Sequence, residues 1–349
     1  MPKSPVPVAV VGLGRWSTVL THAALASPML HVVAATSRSR ASRDAYQREF
    51  GIPTVPTLDE ILANENITGV LITVPNDAHL EIAARAAHAG KHIFVEKPIA
   101  NTMADGLALA ALEKTHGIVV TVGHCARLLA GVRLIKAALD RGELGKLCYL
   151  ECRYLNDRAL RLTPESWRWY PEKAPGGCLS QIAVHSLDIL HYLGGEVREV
   201  GAISARLADT GAAVDDQSLV LLRFAGGHLG YVGSSWTVPG AFSVLAAGTE
   251  ALMSYQIDQT LWSQASKLHQ GAELFTQRRG DGFGKRTRLQ VPPGDMFREE
   301  LEVFAAAIAG EAATDLSARN GCVALAMVRA ALQSTEAGGR AVALDTLLA

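Results

Sequence analysis

Pro7-Val8-Ala9-Val10-Val11 runs directly into Gly12-Leu13-Gly14, and this stretch decides the fold. A short, continuous apolar run is typical of a parallel-sheet strand that is buried on both faces. A helical pattern follows from Arg15 to about Ser27. A strand, a glycine-rich turn and a helix in this order form the context in which a glycine motif predicts a dinucleotide site.

The same pattern continues to about Thr121, because short apolar runs alternate with helical segments throughout this part of the chain. Thr57-Leu58-Asp59-Glu60 is a capping box, and Asn76 is predicted to cap an alanine-rich helix that Gly90 ends. The alternation predicts a doubly wound parallel sheet that binds ligands at the carboxyl ends of its strands. Further strands are predicted at residues 31–35, 69–73, 92–95 and 118–122.

From about Gly145 the pattern changes to long alternating segments, typical of antiparallel strands with one solvated face. These segments are residues 147–155, 197–207, 217–224 and 228–238. Helices are predicted at residues 178–193, near 297–309 and near 321–337. We therefore expect an α/β domain with a parallel sheet, residues 1–123, and an α+β domain with an open, mainly antiparallel sheet, residues 124–349. An arrangement in which the last helices pack against the first domain is also compatible with the sequence.

The bulk properties exclude several classes of protein. A chain of 349 residues is long for one hydrophobic core, so two domains are expected. A net charge of −1 gives no general attraction to nucleic acid or to an anionic membrane. No apolar run is long enough to span a bilayer, and the first strand enters the glycine turn without a leader-like segment. The five cysteines contain no Cys-x-x-Cys pair, which favours reduced thiols and a cytoplasmic location.

The glycine turn fills the first two positions of a dinucleotide fingerprint. Gly12 permits the tight turn, and Gly14 permits close approach of the backbone to a pyrophosphate. Ser17 stands at the third position, where a small residue allows the helix to pack on the strand. Together with Glu96-Lys97-Pro98, which closes a later strand-like run, the turn predicts a nicotinamide-dependent oxidoreductase.

The cofactor type is predicted from the residues after the second strand. NAD sites usually carry an acidic side chain there for the ribose hydroxyl. This chain has Thr36-Ser37-Arg38-Ser39-Arg40, with no carboxylate before Asp44. A serine can hydrogen-bond a 2′-phosphate and an arginine can pair with it, so Ser37 and Arg38 predict NADP, with NAD as the alternative.

Two residues are candidates for the chemistry. Lys97 follows a predicted strand end and precedes Pro98, so it is expected to face the ligand crevice, where it can polarise the substrate oxygen; a surface ion pair with Glu96 is the alternative. His185 lies in the predicted helix at residues 178–193, with Gln181 and Asp188 four and three residues away on one helical face. A histidine near neutral pKa suits the proton transfer that accompanies hydride transfer. A metal site is not expected.

These residues lead to a known family. The chain resembles the glucose–fructose oxidoreductase/inositol dehydrogenase (Gfo/Idh/MocA) family along nearly its whole length. The matching segments are residues 12–16, 73–79, 89–98 and 123–127, and Gly176-Gly177 with residues 185–188. The resemblance implies a Rossmann N-domain and catalytic roles for Lys97 and His185. It also implies homodimers or homotetramers packed through the C-terminal sheet, and it adds these cofactor contacts: Leu13, Arg15, Trp16, Thr73, Pro75, Asn76, His79, Glu96 and Lys97.

One departure from the family bears on activity, because Gln181 stands where family members usually have an aspartate. A glutamine can position a hydroxyl or an imidazole, but it removes an anionic partner from His185. We keep Gln181 with Lys97 and His185 as the predicted catalytic set. Residues predicted to contact substrate are Arg127, Trp167, Arg168 and Asp188.

The expected reaction transfers hydride between the nicotinamide and a secondary alcohol or ketone of a sugar, cyclitol or cyclic diol. Two alternatives stay open. One is a reductase or dehydrogenase of an aromatic-derived dihydrodiol, in which the tryptophans stack on the ring. The other is a non-catalytic, NADP-binding redox sensor, which the neutral Gln181 favours. The sequence does not specify the substrate, the direction of reaction or the number of subunits.

Overall fold

The computed structural model describes the chain in three stretches, residues 4–282, 284–311 and 314–348. The chain divides into two compact units. The first unit consists of residues 1–124 and 297–322, and the second of residues 125–296 and 323–349. The sequence-based division places one boundary after residue 123. In the compact units, the chain returns to the first unit at residues 297–322 and ends in the second.

The first unit is built around a six-stranded parallel sheet. Its strands are β1 Val6–Val11, β2 Leu30–Thr36, β3 Thr54–Val55, β4 Gly69–Ile72, β5 His92–Val95 and β6 Val120–Val122. The order across the sheet is β3-β2-β1-β4-β5-β6, and all neighbours are parallel. The order reverses beside β1, as in a doubly wound sheet, so the predicted fold of this part of the chain is confirmed.

The α-helices of the described residues are α1 Arg15–Leu25, α2 Arg40–Phe50, α3 Leu58–Leu62, α4 His79–His88, α5 Met103–His116, α6 Ala130–Asp140, α7 Val184–Gly194, α8 Met296–Ile308, α9 Ala318–Glu336 and α10 Asp345–Leu348. None of these helices is long and apolar enough to cross a bilayer. Thr57 caps α3 as predicted, because its hydroxyl accepts a hydrogen bond from the Glu60 backbone N–H at 3.3 Å. The predicted cap at Asn76 is wrong, since Ala78 precedes the first residue of α4 and Asn76 lies in a 3₁₀ turn.

The second unit is built around a nine-stranded mixed sheet. Its strands are β7 Leu147–Leu155, β8 Val197–Ala205, β9 Gln217–Phe224, β10 Leu229–Ser235, β11 Ala241–Gly248, β12 Ala251–Ile257, β13 Glu273–Arg278, β14 Thr287–Leu289 and β15 Val342–Ala343. The order is β14-β13-β12-β11-β7-β10-β9-β8-β15. Among the described strands of this sheet, only β7 and β10 pair in parallel, so the predicted open, mainly antiparallel sheet is confirmed. The sequence prediction missed β11 to β15.

The two faces of this sheet differ in burial. Along β9, Val220 and Leu222 are buried, whereas the side chains of Leu219 and Leu221 are 52% and 63% exposed. Helix α7 packs against β7 within the same unit, and eight of its eleven residues are buried. The alternation therefore separates a core face from an open, partly apolar face.

The chain enters α7 through a π-helical turn, Leu179–Ala183. The predicted helix at residues 178–193 is confirmed in position, but the wider turn was not predicted. The expectation that Gln181, His185 and Asp188 share one face assumed α-helical spacing throughout. Because only His185 and Asp188 lie in α7, that spacing argument does not extend to Gln181.

A buried ion pair fixes α7 within the second unit. The Arg127 guanidinium donates to both carboxylate oxygens of Asp188, and the Nε–Oδ2 distance is 2.9 Å. The two side chains are only 3% and 1% exposed. The Arg127 guanidinium also lies 5.2 Å from the centre of the Tyr192 ring. The turn at Cys125–Leu128 is therefore joined to α7 by a charge pair that excludes water.

We expect Asp188→Asn to lower the free energy of unfolding by about 3–5 kcal/mol, because it leaves the buried Arg127 charge without this carboxylate. The matched control is Glu250→Gln, which removes one charge from the exposed Arg279–Glu250 pair at 2.7 Å and is expected to cost about 1 kcal/mol or less. Urea unfolding of both variants measures the difference. Equal losses would contradict a structural role for the buried pair.

Candidate active site

The carboxyl ends of β1, β2, β4 and β5 lie at one edge of the first sheet, because parallel neighbours share a direction. The predicted cofactor residues follow these four strand ends. They are Gly12, Leu13, Gly14, Arg15 and Trp16 after β1, Ser37 and Arg38 after β2, Thr73, Pro75, Asn76 and His79 after β4, and Glu96 and Lys97 after β5. The topology thus brings together segments that are up to 85 residues apart in the chain, from Gly12 to Lys97.

The glycine turn has one crowded and one open position. Gly12 has φ +97°, and a Cβ there would lie 2.7 Å from Val74 Cγ1. Thr73 supports the turn, because its hydroxyl donates to the Gly12 carbonyl at 2.6 Å. A Cβ on Gly14 would meet nothing within 4 Å, so the backbone there is accessible. The turn has the shape that close approach of a pyrophosphate needs.

Ser17 occupies the third position of the motif. Its side chain is 1% exposed, and its hydroxyl donates to the Gly14 carbonyl at 2.6 Å. The small residue predicted for close helix packing therefore also hydrogen-bonds the glycine turn.

Glu96 connects the glycine turn with the end of β5. One carboxylate oxygen accepts a hydrogen bond from the Trp16 indole N–H, and the other accepts the Lys97 backbone N–H at 3.2 Å. Glu96 is 6% exposed, whereas the neighbouring Lys97 is half-buried, and the Lys97–Pro98 peptide is cis. The Glu96 carboxylate therefore braces the backbone on which Lys97 stands.

His79 joins two loops at the same edge. It is fully buried, with Nε2 3.1 Å from the Val74 carbonyl and Nδ1 3.2 Å from the Pro98 carbonyl. Burial lowers the pKa of His79, and this outweighs the nearby carbonyls, which raise it. These contacts assign His79 a role in loop geometry. Asn76 is also buried and donates to Asn101 Oδ1 at 3.2 Å, a residue that the sequence analysis did not select.

The segment after β2 contains no carboxylate before Asp44. Asp44 lies in α2, where it pairs with Arg40 at 3.7 Å. Ser37 is half-buried and Arg38 is exposed. Arg43, which the sequence analysis passed over, donates from its guanidinium to the carbonyls of both residues. Arg43 lies one helical turn after Ser39, the N-cap of α2, and this spacing is the sequence signal by which it could have been selected.

In the second unit, His185 lies in an aromatic environment. It is 3% exposed, and its ring centre is 6.1 Å from that of Tyr154 and 5.9 Å from that of Trp262. Tyr154 lies in β7 and Trp262 follows β12, so only the tertiary fold reveals this cluster.

Gln181 and Arg168 are direct neighbours. Arg168 Nε donates to Gln181 Oε1 at 3.1 Å, and the guanidinium lies 4.1 Å from the centre of the Trp167 ring. The predicted substrate residues Trp167 and Arg168 are both half-buried. The other two, Arg127 and Asp188, bind one another in the core of the second unit.

Two family models match the chain in sequence. Residues 6–124 match the oxidoreductase family with an NAD-binding Rossmann fold, and residues 132–254 match the GFO/IDH/MocA C-terminal domain. A levoglucosan dehydrogenase from Pseudarthrobacter phenanthrenivorans is 33% identical over 304 residues, which cover 79% of this chain and 75% of that protein. The chain belongs to the Gfo/Idh/MocA oxidoreductase family.

Two solved structures match nearly the whole chain. An oxidoreductase from Desulfitobacterium hafniense, to which NADPH dependence is attributed, superposes with a TM-score of 0.94 at 32% identity and 99% coverage of both chains. A levoglucosan dehydrogenase in complex with NADH and levoglucosan gives a TM-score of 0.84 at 25% identity, covering 98% of this chain and 100% of that one. The protein is thus an NAD-binding oxidoreductase of a family with sugar dehydrogenases.

We expect Gly14→Ala to bind cofactor more than about tenfold more weakly while keeping wild-type stability, because the methyl group occupies the space that a pyrophosphate needs. Gly12→Ala is expected to lose both binding and stability, since it combines a positive φ with a contact to Val74. Isothermal titration with NADPH and thermal unfolding separate the two effects. Unchanged binding by a folded Gly14→Ala variant would place the cofactor elsewhere.

Acidification should destabilise the protein through His79. Its folded-state pKa lies below the ordinary value of about 6.5, so the unfolded chain binds more protons as pH falls below that value. The free energy of unfolding then falls by at most about 1.4 kcal/mol per pH unit from this residue. His79→Gln should show a shallower decline in urea unfolding between pH 7.5 and 5.5. A decline equal to that of the wild type would contradict this assignment.

Proposed function

We propose that this protein is an NADP-dependent oxidoreductase that transfers hydride between nicotinamide and a secondary alcohol or ketone of a sugar, cyclitol or cyclic diol. The observation that carries the proposal is the edge of the first sheet. An open glycine turn, a carboxylate-free segment after β2 and the half-buried Lys97 after β5 all lie at that edge. This is where a doubly wound sheet binds a dinucleotide.

The choice of NADP over NAD rests on Ser37 and Arg38. No described residue forms a hydrogen bond or ion pair with the Ser37 hydroxyl or the Arg38 guanidinium, although most neighbouring polar groups are engaged. A 2′-phosphate offers an arginine charge-assisted hydrogen bonds, whereas a ribose hydroxyl usually needs a carboxylate acceptor. NADPH dependence attributed to the D. hafniense relative supports this choice, and NADH bound to levoglucosan dehydrogenase supports the alternative.

The nicotinamide, when bound, supplies or accepts the hydride. We assign Lys97 the role of hydrogen-bonding the substrate oxygen, so that its ammonium stabilises the negative charge that develops there. We assign His185 the proton that the hydroxyl loses on oxidation or gains on reduction. His185 is 3% exposed beside two aromatic rings, so water has little access to it.

For the substrate, Trp167 and Arg168 are the proposed recognition residues of the second unit. An aromatic face stacks on sugar C–H surfaces or on planar rings. Gln181 is proposed to hold Arg168, because its carbonyl oxygen accepts the Arg168 Nε–H at 3.1 Å. A cytoplasmic location remains the expectation for a protein with five free thiols.

We propose that subunits associate through the open face of the second sheet as a homodimer or homotetramer. Apolar side chains on β8, β9 and β10 are exposed there, including Ile203 at 66%, Leu221 at 63% and Leu229 at 50%. Exposed apolar surface of this kind marks interaction sites. Sedimentation equilibrium tests the association, and a monomer at micromolar concentration would contradict it.

The decisive test of the function is turnover with NADP⁺ and a panel of levoglucosan, inositol, aldoses and a cyclic dihydrodiol. For the best substrate, Lys97→Met and His185→Asn should each lower kcat by about 10²-fold or more, since each removes a group that acts on the reacting oxygen or its proton. NADPH affinity of the His185 variant should stay within about threefold of wild type. Activity unaffected by both substitutions would contradict the assigned roles.

The neutral Gln181 favours one alternative, a redox sensor, because a protein without turnover needs no charged partner for His185. Such a sensor would bind NADPH tightly yet turn over no member of the panel. Turnover of the dihydrodiol alone would instead favour the aromatic-derived substrate class.

A further inference from the structure

Arg43 holds the segment after β2 from the side of α2. Its guanidinium donates to the Ser37 carbonyl and, at 3.3 Å, to the Arg38 carbonyl. The side chain is half-buried, whereas Arg40, one turn earlier on the same helix, is exposed and pairs with Asp44 at 3.7 Å. Two arginines of equal charge therefore have different tasks at the start of α2.

The two carbonyl contacts fix the direction of two peptide groups. In a trans peptide the N–H points opposite to the C=O, and the only cis peptide of the described residues is Lys97–Pro98. The backbone N–H groups of Arg38 and Ser39 therefore point away from Arg43. Neither N–H has a hydrogen-bond partner among the described residues. Arg43 thus holds the two amide N–H groups so that they point away from its own side chain and are available to a ligand.

We infer that Arg43 is a positioning residue that selects a 2′-phosphorylated cofactor by holding the Arg38 and Ser39 amides, with the Ser37 hydroxyl and the Arg38 guanidinium, in a phosphate-binding arrangement. The inference rests on the proposed NADP-dependent function. A phosphate monoester carries about −1.5 to −2 charges and three acceptor oxygens, so it matches successive N–H donors beside a guanidinium. Without Arg43, the two peptides are free to turn their carbonyl oxygens towards the phosphate, which repels them.

The test compares Arg43→Ala with Arg40→Ala, because both remove one positive charge from α2. Isothermal titration with 2′,5′-ADP and with 5′-AMP measures the phosphate contribution without any catalytic step. Arg43→Ala should weaken 2′,5′-ADP about tenfold, as expected for the loss of two hydrogen bonds that orient the site, and change 5′-AMP by less than about twofold. Arg40→Ala should change the binding of either ligand by less than about twofold to threefold. Arg43→Lys, which keeps a donor and the charge, should recover part of the loss.

Equal losses in the two alanine variants would overturn the inference, since they would reflect charge alone. Equal weakening of both ligands by Arg43→Ala would also overturn it, because the effect would then be structural. If wild-type protein binds 2′,5′-ADP no better than 5′-AMP, the NADP assignment fails. If it binds neither ligand nor any dinucleotide, the proposed function fails, so the two failures are distinguishable.

Discussion

The absence of a side chain at Gly12 is the constraint on which the rest of the structure depends. β1 and β4 are neighbours, and the turn after β1 passes so close to Val74 that a single methyl group would collide with it. Hydrogen bonds from Thr73 and Ser17 then secure the turn on both sides. Trp16, in the first turn of α1, donates a hydrogen bond to the Glu96 carboxylate, which also accepts one from the Lys97 backbone N–H. A backbone constraint at one residue thereby organises an entire edge of the sheet.

The fold was predictable where local pattern decides it. Continuous apolar runs identified β1 and β5, because strands buried on both faces need no alternation. The glycine turn was also predictable, since positive φ at Gly12 is a local property. The later strands β11 to β15 escaped prediction, although β11 and β12 form a local hairpin. Distant parts of the chain meet only in the pairings of β11 with β7 and of β15 with β8 among these described strands. The π-helical turn before α7 escaped it as well, since residue spacing does not reveal a wider turn.

The strand ends that carry the candidate site follow from local sequence pattern, whereas the hydrogen-bond partners of its residues do not. His79 and Glu96 were selected as cofactor contacts, yet their hydrogen bonds connect loops of the protein itself. Arg127 and Asp188 were selected for substrate, yet they form a buried pair across 61 residues of chain. Each of these tasks depends on a distant partner that no sequence window contains. The segment after β2 differs, because the contacts of Arg43 with Ser37 and Arg38 lie within one short stretch of sequence.

In the proposed function, the edge of the first sheet binds NADP, with its 2′-phosphate at Ser37 and Arg38. Fluorescence titration of the purified protein with NADPH and NADH in parallel tests this claim most directly. Charge-assisted hydrogen bonds to a phosphate are worth about 1.5–3 kcal/mol each, so NADPH should bind at least about tenfold more tightly. Equal binding of the two cofactors, or tighter binding of NADH, would contradict the claim.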